Sequence, residues 1–254
     1  METTTSPRAT FQRQVLDRLG LDICAGRYAP GQTLPRENEL CERFALSRIV
    51  IREAVKSLAA KGMLEVRRKV GTLVLAPSSW NLFDPDIIAW RTQAAGDDLE
   101  MSRDLLDLRR IVEPAAARLA AARADDADLA AVRGAFERMR RAVAGDGDYV
   151  AADLAFHSAI FTASGNQFVS QILVALTGLL RQGFAIVSRK PGGPLASLPL
   201  HEDLCRAVEA RDPAAAERAA LALIDRAALD LRECLPAEPR PSDAAPDISI
   251  TRKE

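Results

Sequence analysis

A chain of 254 residues is long enough for two modest domains, and its balance of 48% hydrophobic and 27% charged residues is that of a globular protein with ample core material. No run approaches the roughly 18 uninterrupted apolar residues of a membrane span, and METTTSPRATFQRQ has no apolar leader, so a cytoplasmic protein without a membrane partner is expected. Cys24, Cys41, Cys205 and Cys234 are scattered with no CxxC pair, which excludes a zinc ribbon and argues for free thiols. The net charge of −1 hides an asymmetry: residues 1–80 carry 13 Lys/Arg and 8 Asp/Glu, the remainder 21 and 27. A basic module on an acidic body suits a nucleic-acid binder with a separate regulatory domain.

In chain order, Phe11, Val15, Leu16, Leu19 and Ile23 recur at helical spacing, and Gly26 offers a stop. The loop RYAPGQTLP follows, and Pro35 opens a short second helix through Phe44. Ser47 is a good N-cap for a third helix, whose apolar face is Ile51, Ala54, Val55, Leu58 and Ala59, and Gly62 ends it. Residues 63–66 and 72–75 read as two short strands around the tip Arg67-Arg68-Lys69 and Gly71. Three helices and a hairpin in about 70 residues is the order of a winged helix-turn-helix. Helices are then expected near 99–122, 126–144, 147–163, 167–188, 197–211 and 213–234. The fold class is therefore mainly α. A winged helix-turn-helix is expected over 8–76, a linker and leading helix over 77–97, an all-helical bundle over 98–235 and a disordered tail over 236–254. Trp80 and Trp90 are expected to be packing anchors.

Arg48 and Arg52 lie four apart at the start of the third helix, opposite its apolar face, where a recognition helix meets base edges. Arginine there can donate two hydrogen bonds to a guanine. Lys56 is placed for a phosphate, and Arg67, Arg68, Lys69 and Gly71 suit a groove or backbone contact. A solvated basic face accounts for Arg48 and Arg52 alone equally well. The chain has only two histidines, His157 and His201; Asp153 and His157, four apart, share a helix face. A divalent-metal site on a helical bundle and a plain i,i+4 hydrogen bond both fit that spacing.

The run GRYAPGQTLPRENELCERFALSRIVIREAVKSLAAKGMLEVRRKVGTLV closely resembles the DNA-binding module of the GntR superfamily. That resemblance implies DNA contacts by Ser47, Arg48, Arg52 and Gly71; Asn38 stands where some members carry an Arg, a contact that Arg36 is placed to take over. LLDLRRIVEPAAARLAA, DLAFHSAIFTASGN and HEDLCRAVEARDPAAAERA resemble the helical FCD sensor domain of the FadR-type branch. By resemblance, Asp153, His157 and His201 would hold Zn or a similar divalent ion, and Arg109 would meet an organic-acid carboxylate. The third histidine of that pattern falls at Leu223, which weakens the metal site or leaves its residues to bind the effector directly. SSWNLFDPDIIAW and LLRQGF resemble sugar-acid regulators of the galactonate type, with Arg181 a second pocket candidate. The implied protein is a homodimeric repressor released from operator DNA by a sugar acid; uronate, gluconate, lactate or a metal alone are alternative signals. A hydrolytic enzyme built on Asp153, His157 and His201 has no general base or nucleophile motif to support it.

Overall fold

The computed structural model describes residues 7–95 and 99–234. The expected tail over 236–254 lies outside the described residues. Helix α1 (Pro7–Cys24), α2 (Glu37–Phe44) and α3 (Arg48–Ala60) precede strands β1 (Leu64–Arg67) and β2 (Gly71–Val74). After a 3-10 turn at Pro77–Ser79 come α4 (Pro85–Ala95), α5 (Leu99–Arg123), α6 (Asp126–Val143), α7 (Tyr149–Ala163), α8 (Gln167–Ser188), α9 (Gly193–Glu209) and α10 (Pro213–Cys234).

The first unit closes around Val15, Leu19, Ile51, Leu58 and Met63, all fully buried. Phe11 stays exposed, so the apolar stripe of α1 begins a turn later than its spacing suggests. Helix α2 starts at Glu37 rather than at Pro35, with Glu39 accepting the Arg36 backbone N–H at 2.9 Å. Ser47 holds the N-cap position of α3, yet its hydroxyl makes no capping hydrogen bond. The hairpin pairs Leu64 with Val74 and Arg67 with Gly71, one residue later in β1 and one earlier in β2 than the pattern suggests. The preceding loop joins the sheet: Val74 N–H donates to Gln32 O and Leu34 N–H to Thr72 O, both at 2.8 Å.

Helix α4 ties this unit to the bundle. Trp90 is buried in the first core and donates its indole N–H to Asp17 at 3.0 Å, while its ring lies on Gly20, where any Cβ would overlap it. On the other side Ile88 packs with Leu176, Leu180 and Phe184 of α8, and Thr92 Oγ1 donates to Gln182 Oε1 at 2.6 Å. At the α3 end, Lys61 Nζ reaches Asp84 at 2.7 Å and Asp86 at 2.8 Å, and Arg13 reaches Asp86 at 2.7 Å. Trp80 donates its indole N–H to Leu75 O, so both tryptophans are packing anchors.

In the bundle, α5 packs on α10, α6 on α7 and α9 on α10 around Phe156, Met139, Val208 and Ile224. Helix α9 begins at Gly193, four residues before the expected start: Pro194 sits in its first turn, where a missing N–H costs nothing, and Pro199 is carried inside. Over Gln167–Ile186, α8 is long and apolar enough to cross a membrane, and only a third of it is buried. Gln171, Thr177 and Arg181 interrupt that stretch, so a search for uninterrupted runs passes over it. Its Leu173, Leu176, Leu180 and Phe184 face the core, while Phe168 and Val174 stay exposed.

Candidate functional site

The first candidate surface is α3 with the hairpin. Val50, Ile51, Ala54 and Leu58 point inward, which turns Arg48, Arg52 and Lys56, spaced by four, to one exposed face. Ser47 and Arg36 are exposed near the same end. Arg52 Nε rests on Glu37 Oε1 of α2 at 2.5 Å, Lys56 on Glu53 at 2.8 Å and Arg67 on Glu65 at 2.8 Å. Such exposed pairs are weak, so phosphates or bases can displace them at small cost. Arg68 and Lys69 are exposed at the turn, where Lys69 adopts φ 66° and Gly71 φ 122°, a conformation that only glycine takes without strain.

The second candidate site lies inside the bundle. Helix α5 supplies Arg109 and Glu113, α7 Asp153 and His157, α8 Phe184, and α9 His201. All but Phe184 are polar, and each of those five is no more than 5% exposed. Arg109 Nε donates to Glu113 Oε1 at 2.6 Å, and its guanidinium lies 5.0 Å from the centre of the Phe184 ring. His157 Nδ1 is 3.2 Å from Glu113 Oε2, and its Nε2 is 3.3 Å from Asp153 Oδ1. His201 Nδ1 lies 2.9 Å from Ser197 O, and its Nε2 is 3.2 Å from the same Asp153 oxygen.

Burial alone would push His157 down, but the Glu113 and Asp153 carboxylates outweigh it and raise its pKa to about 9. Burial likewise opposes ionisation of Glu113, yet Arg109 and His157 hold it at about 2. Asp153 is kept well below the usual carboxylate range by His201 and His157 against the same penalty. Arg109 and His157 thus balance Glu113 and Asp153, and the His201 ring is hydrogen-bonded between Asp153 and Ser197, the condition for keeping polar groups in a core.

The donor set also fits a divalent metal. Asp153, His157 and His201 bring ligand atoms within 4.8 Å of one another. Each imidazole has its Nδ1 at an acceptor, Glu113 or Ser197 O, which fixes the ring and aims Nε2 at a common point. Leu223 is buried beside them on α10 and adds no ligand. Arg109, Asp153, His157, His201 and Leu223 line one cleft. Arg181 is exposed and lines neither that cleft nor the apolar cavity on the other side of Arg109, where the next residue, Gln182, faces in. Glu113, absent from the sequence-based site, is signalled only by its i,i+4 spacing from Arg109.

A winged helix-turn-helix joined to a helical bundle with a buried, charged cleft defines a DNA-binding regulator that takes a small-molecule signal. The pattern of "Bacterial regulatory proteins, gntR family" matches residues 11–74, and that of the "FCD domain" matches 104–226. The Galactonate operon transcriptional repressor of Escherichia coli K12 is 36% identical over 227 residues, covering 87% of this chain and 96% of its own. The Glc operon transcriptional activator of the same organism is 30% identical over 229 residues, 87% of each chain. A solved structure described as "Lar controls the expression of the Listeria monocytogenes agr system and mediates virulence" shares the fold, with a TM-score of 0.61 at 16% identity, covering 87% of this chain and 96% of that one. The chain belongs to the GntR family of bacterial regulatory proteins, in the branch with an FCD domain. It is a transcriptional regulator, not an enzyme.

Proposed function

We propose that the protein is a cytoplasmic, homodimeric repressor of sugar-acid catabolism genes, released from its operator when a galactonate-like polyhydroxy acid enters the bundle cleft. The observation that carries this reading is Arg109, a guanidinium 5% exposed that opens onto the same cleft as Asp153, His157 and His201. Arginine with spare donors suits a carboxylate, and a cluster of carboxylate and imidazoles suits hydroxyls or a metal that binds them. Similarity to the galactonate repressor supports the same acid class.

Residues 8–76 would form the DNA-binding unit, 77–97 the linker and leading helix, and 98–235 the effector domain. Arg48 and Arg52 would read bases, Ser47, Arg36 and Lys56 would meet phosphates, and Arg67, Arg68, Lys69 and Gly71 would enter an adjoining groove. Two such units would read a pseudo-palindrome whose spacing follows dimer symmetry. A divalent ion, when bound by Asp153, His157 and His201, would supply a Lewis-acid anchor for the effector's oxygens, with Leu223 leaving a coordination position open. These residues orient the acid, and Glu113 and Ser197 hold the imidazoles in register for it. The acid releases the operator only through its different affinity for the two dimer geometries.

The test is a thermal-shift screen of the full chain against hexonates, uronates and short 2-hydroxy acids, with and without chelator. A cognate acid at a hundred times its Kd should add about 2.7 kcal/mol of stability. That gain should vanish in Arg109→Ala and shrink in Arg109→Lys, which keeps charge but loses the planar fork. No shift with any acid, and a shift with metal alone, would reject the sugar-acid reading.

A further inference from the structure

The cleft continues beyond the residues used so far. Leu223, Arg226, Ala227 and Asp230 line it from one face of α10, at spacings of three and four. Two helical turns, about 10 Å, separate Leu223 from Asp230, so the cleft outreaches a two- or three-carbon acid. Asp230 is 4% exposed. Its Oδ1 accepts from Lys190 Nζ at 2.6 Å and its Oδ2 from Arg226 Nε at 2.8 Å. Lys190 is also held by Glu233 at 2.5 Å. Burial opposes ionisation of Asp230, but these two cations hold its carboxyl below its ordinary value. From the facing helices come Tyr149 and Ser197, whose hydroxyls lie 3.0 Å apart.

This end of the cleft therefore presents an ionised carboxylate with lone pairs to spare, two cations paired to it, and two hydroxyls that bond one another, with Ser197 Oγ donating on to Pro194 O at 3.1 Å. A carboxylate accepts from up to four donors, and two here are taken. Alcohol groups, each both donor and acceptor, complement that set. A second carboxylate would face the Asp230 charge and compete with it for Arg226 and Lys190, a repulsive element that serves selectivity.

We propose that Asp230, with Tyr149 and Ser197, forms a subsite for the distal hydroxyls of a polyhydroxy monocarboxylate, and that Asp230 excludes a six-carbon dicarboxylate from the same cleft. This rests on the sugar-acid reading above: Arg109 anchors the one carboxylate, and Asp230 determines what the other end must be.

The experiment is calorimetric titration of the full-length protein, wild type and Asp230→Asn, with the galacto, gluco and manno hexonates and with galactarate. The tightest hexonate should weaken by roughly tenfold or more in Asp230→Asn, the scale of one charge-assisted hydrogen bond. Galactarate should tighten, because Arg226 loses its counter-charge and Lys190 keeps only Glu233. Tyr149→Phe, which removes one oxygen, should weaken the hexonate several-fold and lower the unfolding midpoint of the free protein only by the loss of its hydrogen bond to Ser197. An Asp230→Asn protein that binds hexonate as the wild type does, or loses hexonate and galactarate in parallel, overturns the subsite while leaving the sugar-acid reading intact. A wild type that binds no hexonate overturns both.

Discussion

At position 223 a buried leucine occupies the side of the cleft where the related pattern has a histidine, and Asp153, His157 and His201 are left to serve any ion as three ligands. Leu223→His should complete a four-ligand set and tighten zinc by roughly tenfold or more, read by competition with a chromophoric chelator. The same cluster gives the metal-free protein a pH signature. His157 has a folded pKa of about 9 against 6.5 when unfolded, so its ion pairs stabilise fully below pH 6.5. That contribution is lost as pH rises from 6.5 through 9. Glu113, held at about 2, acts at the other end and loses its contribution as pH falls from about 4.5 to 2. Thermal melts in chelator should therefore show a fall in midpoint between pH 6.5 and 9 that His157→Gln removes. Of this cluster the spacing pairs Asp153 with His157 but leaves a plain hydrogen bond open, and it is the resemblance to the FCD domain that names Asp153, His157 and His201 together. The spacing passes over Glu113 and Asp230, since an acidic residue on a charged helix looks the same whether it faces water or a buried imidazole.

Among the elements, α4 carries the most consequence for its length. Its indole is seated on Gly20 of α1, and its Thr92 hydroxyl donates to Gln182 of α8, two residues before the Phe184 ring that tilts against His157 at 5.1 Å. Gly20→Ala should force the Trp90 ring off its seat and cost about 1–3 kcal/mol, measured by urea denaturation. Thr92→Val keeps the shape and removes the donor. If a sugar acid releases the operator as proposed, Thr92→Val should leave acid affinity nearly unchanged while reducing that acid-driven loss of operator affinity, read by fluorescence anisotropy on labelled DNA. The helices themselves were legible in the 3.6-residue repeat, and the bounds of α8 and α10 agree with the structure. The start of α9 was not, because the Pro-Gly-Gly-Pro stretch looks like a break when Pro194 in fact opens the helix. Nor was the pairing of the Gln32–Leu34 loop with β2, which no local pattern announces.

For the whole molecule, recognition and sensing sit on separate cores, so their residues should separate in experiment. Arg48→Ala and Arg52→Ala should each weaken operator binding by about 1–3 kcal/mol and leave acid-induced thermal shifts intact. Equal operator affinity in both variants would displace base reading from α3. This two-part plan was open to reading because the loop–helix–turn–helix–hairpin order is carried by punctuating glycines and prolines, and because the basic surplus is confined to the first 80 residues. Lys61 adds a last consequence. By clasping Asp84 and Asp86 at once, with Arg13 on the latter, it makes the stretch after the hairpin a strut rather than a tether. A strut cannot adjust its reach, so in the proposed dimer the two recognition helices would stand at one fixed separation. Operators with a base pair inserted between their half-sites should then be rejected outright, and Lys61→Ala should restore tolerance of them.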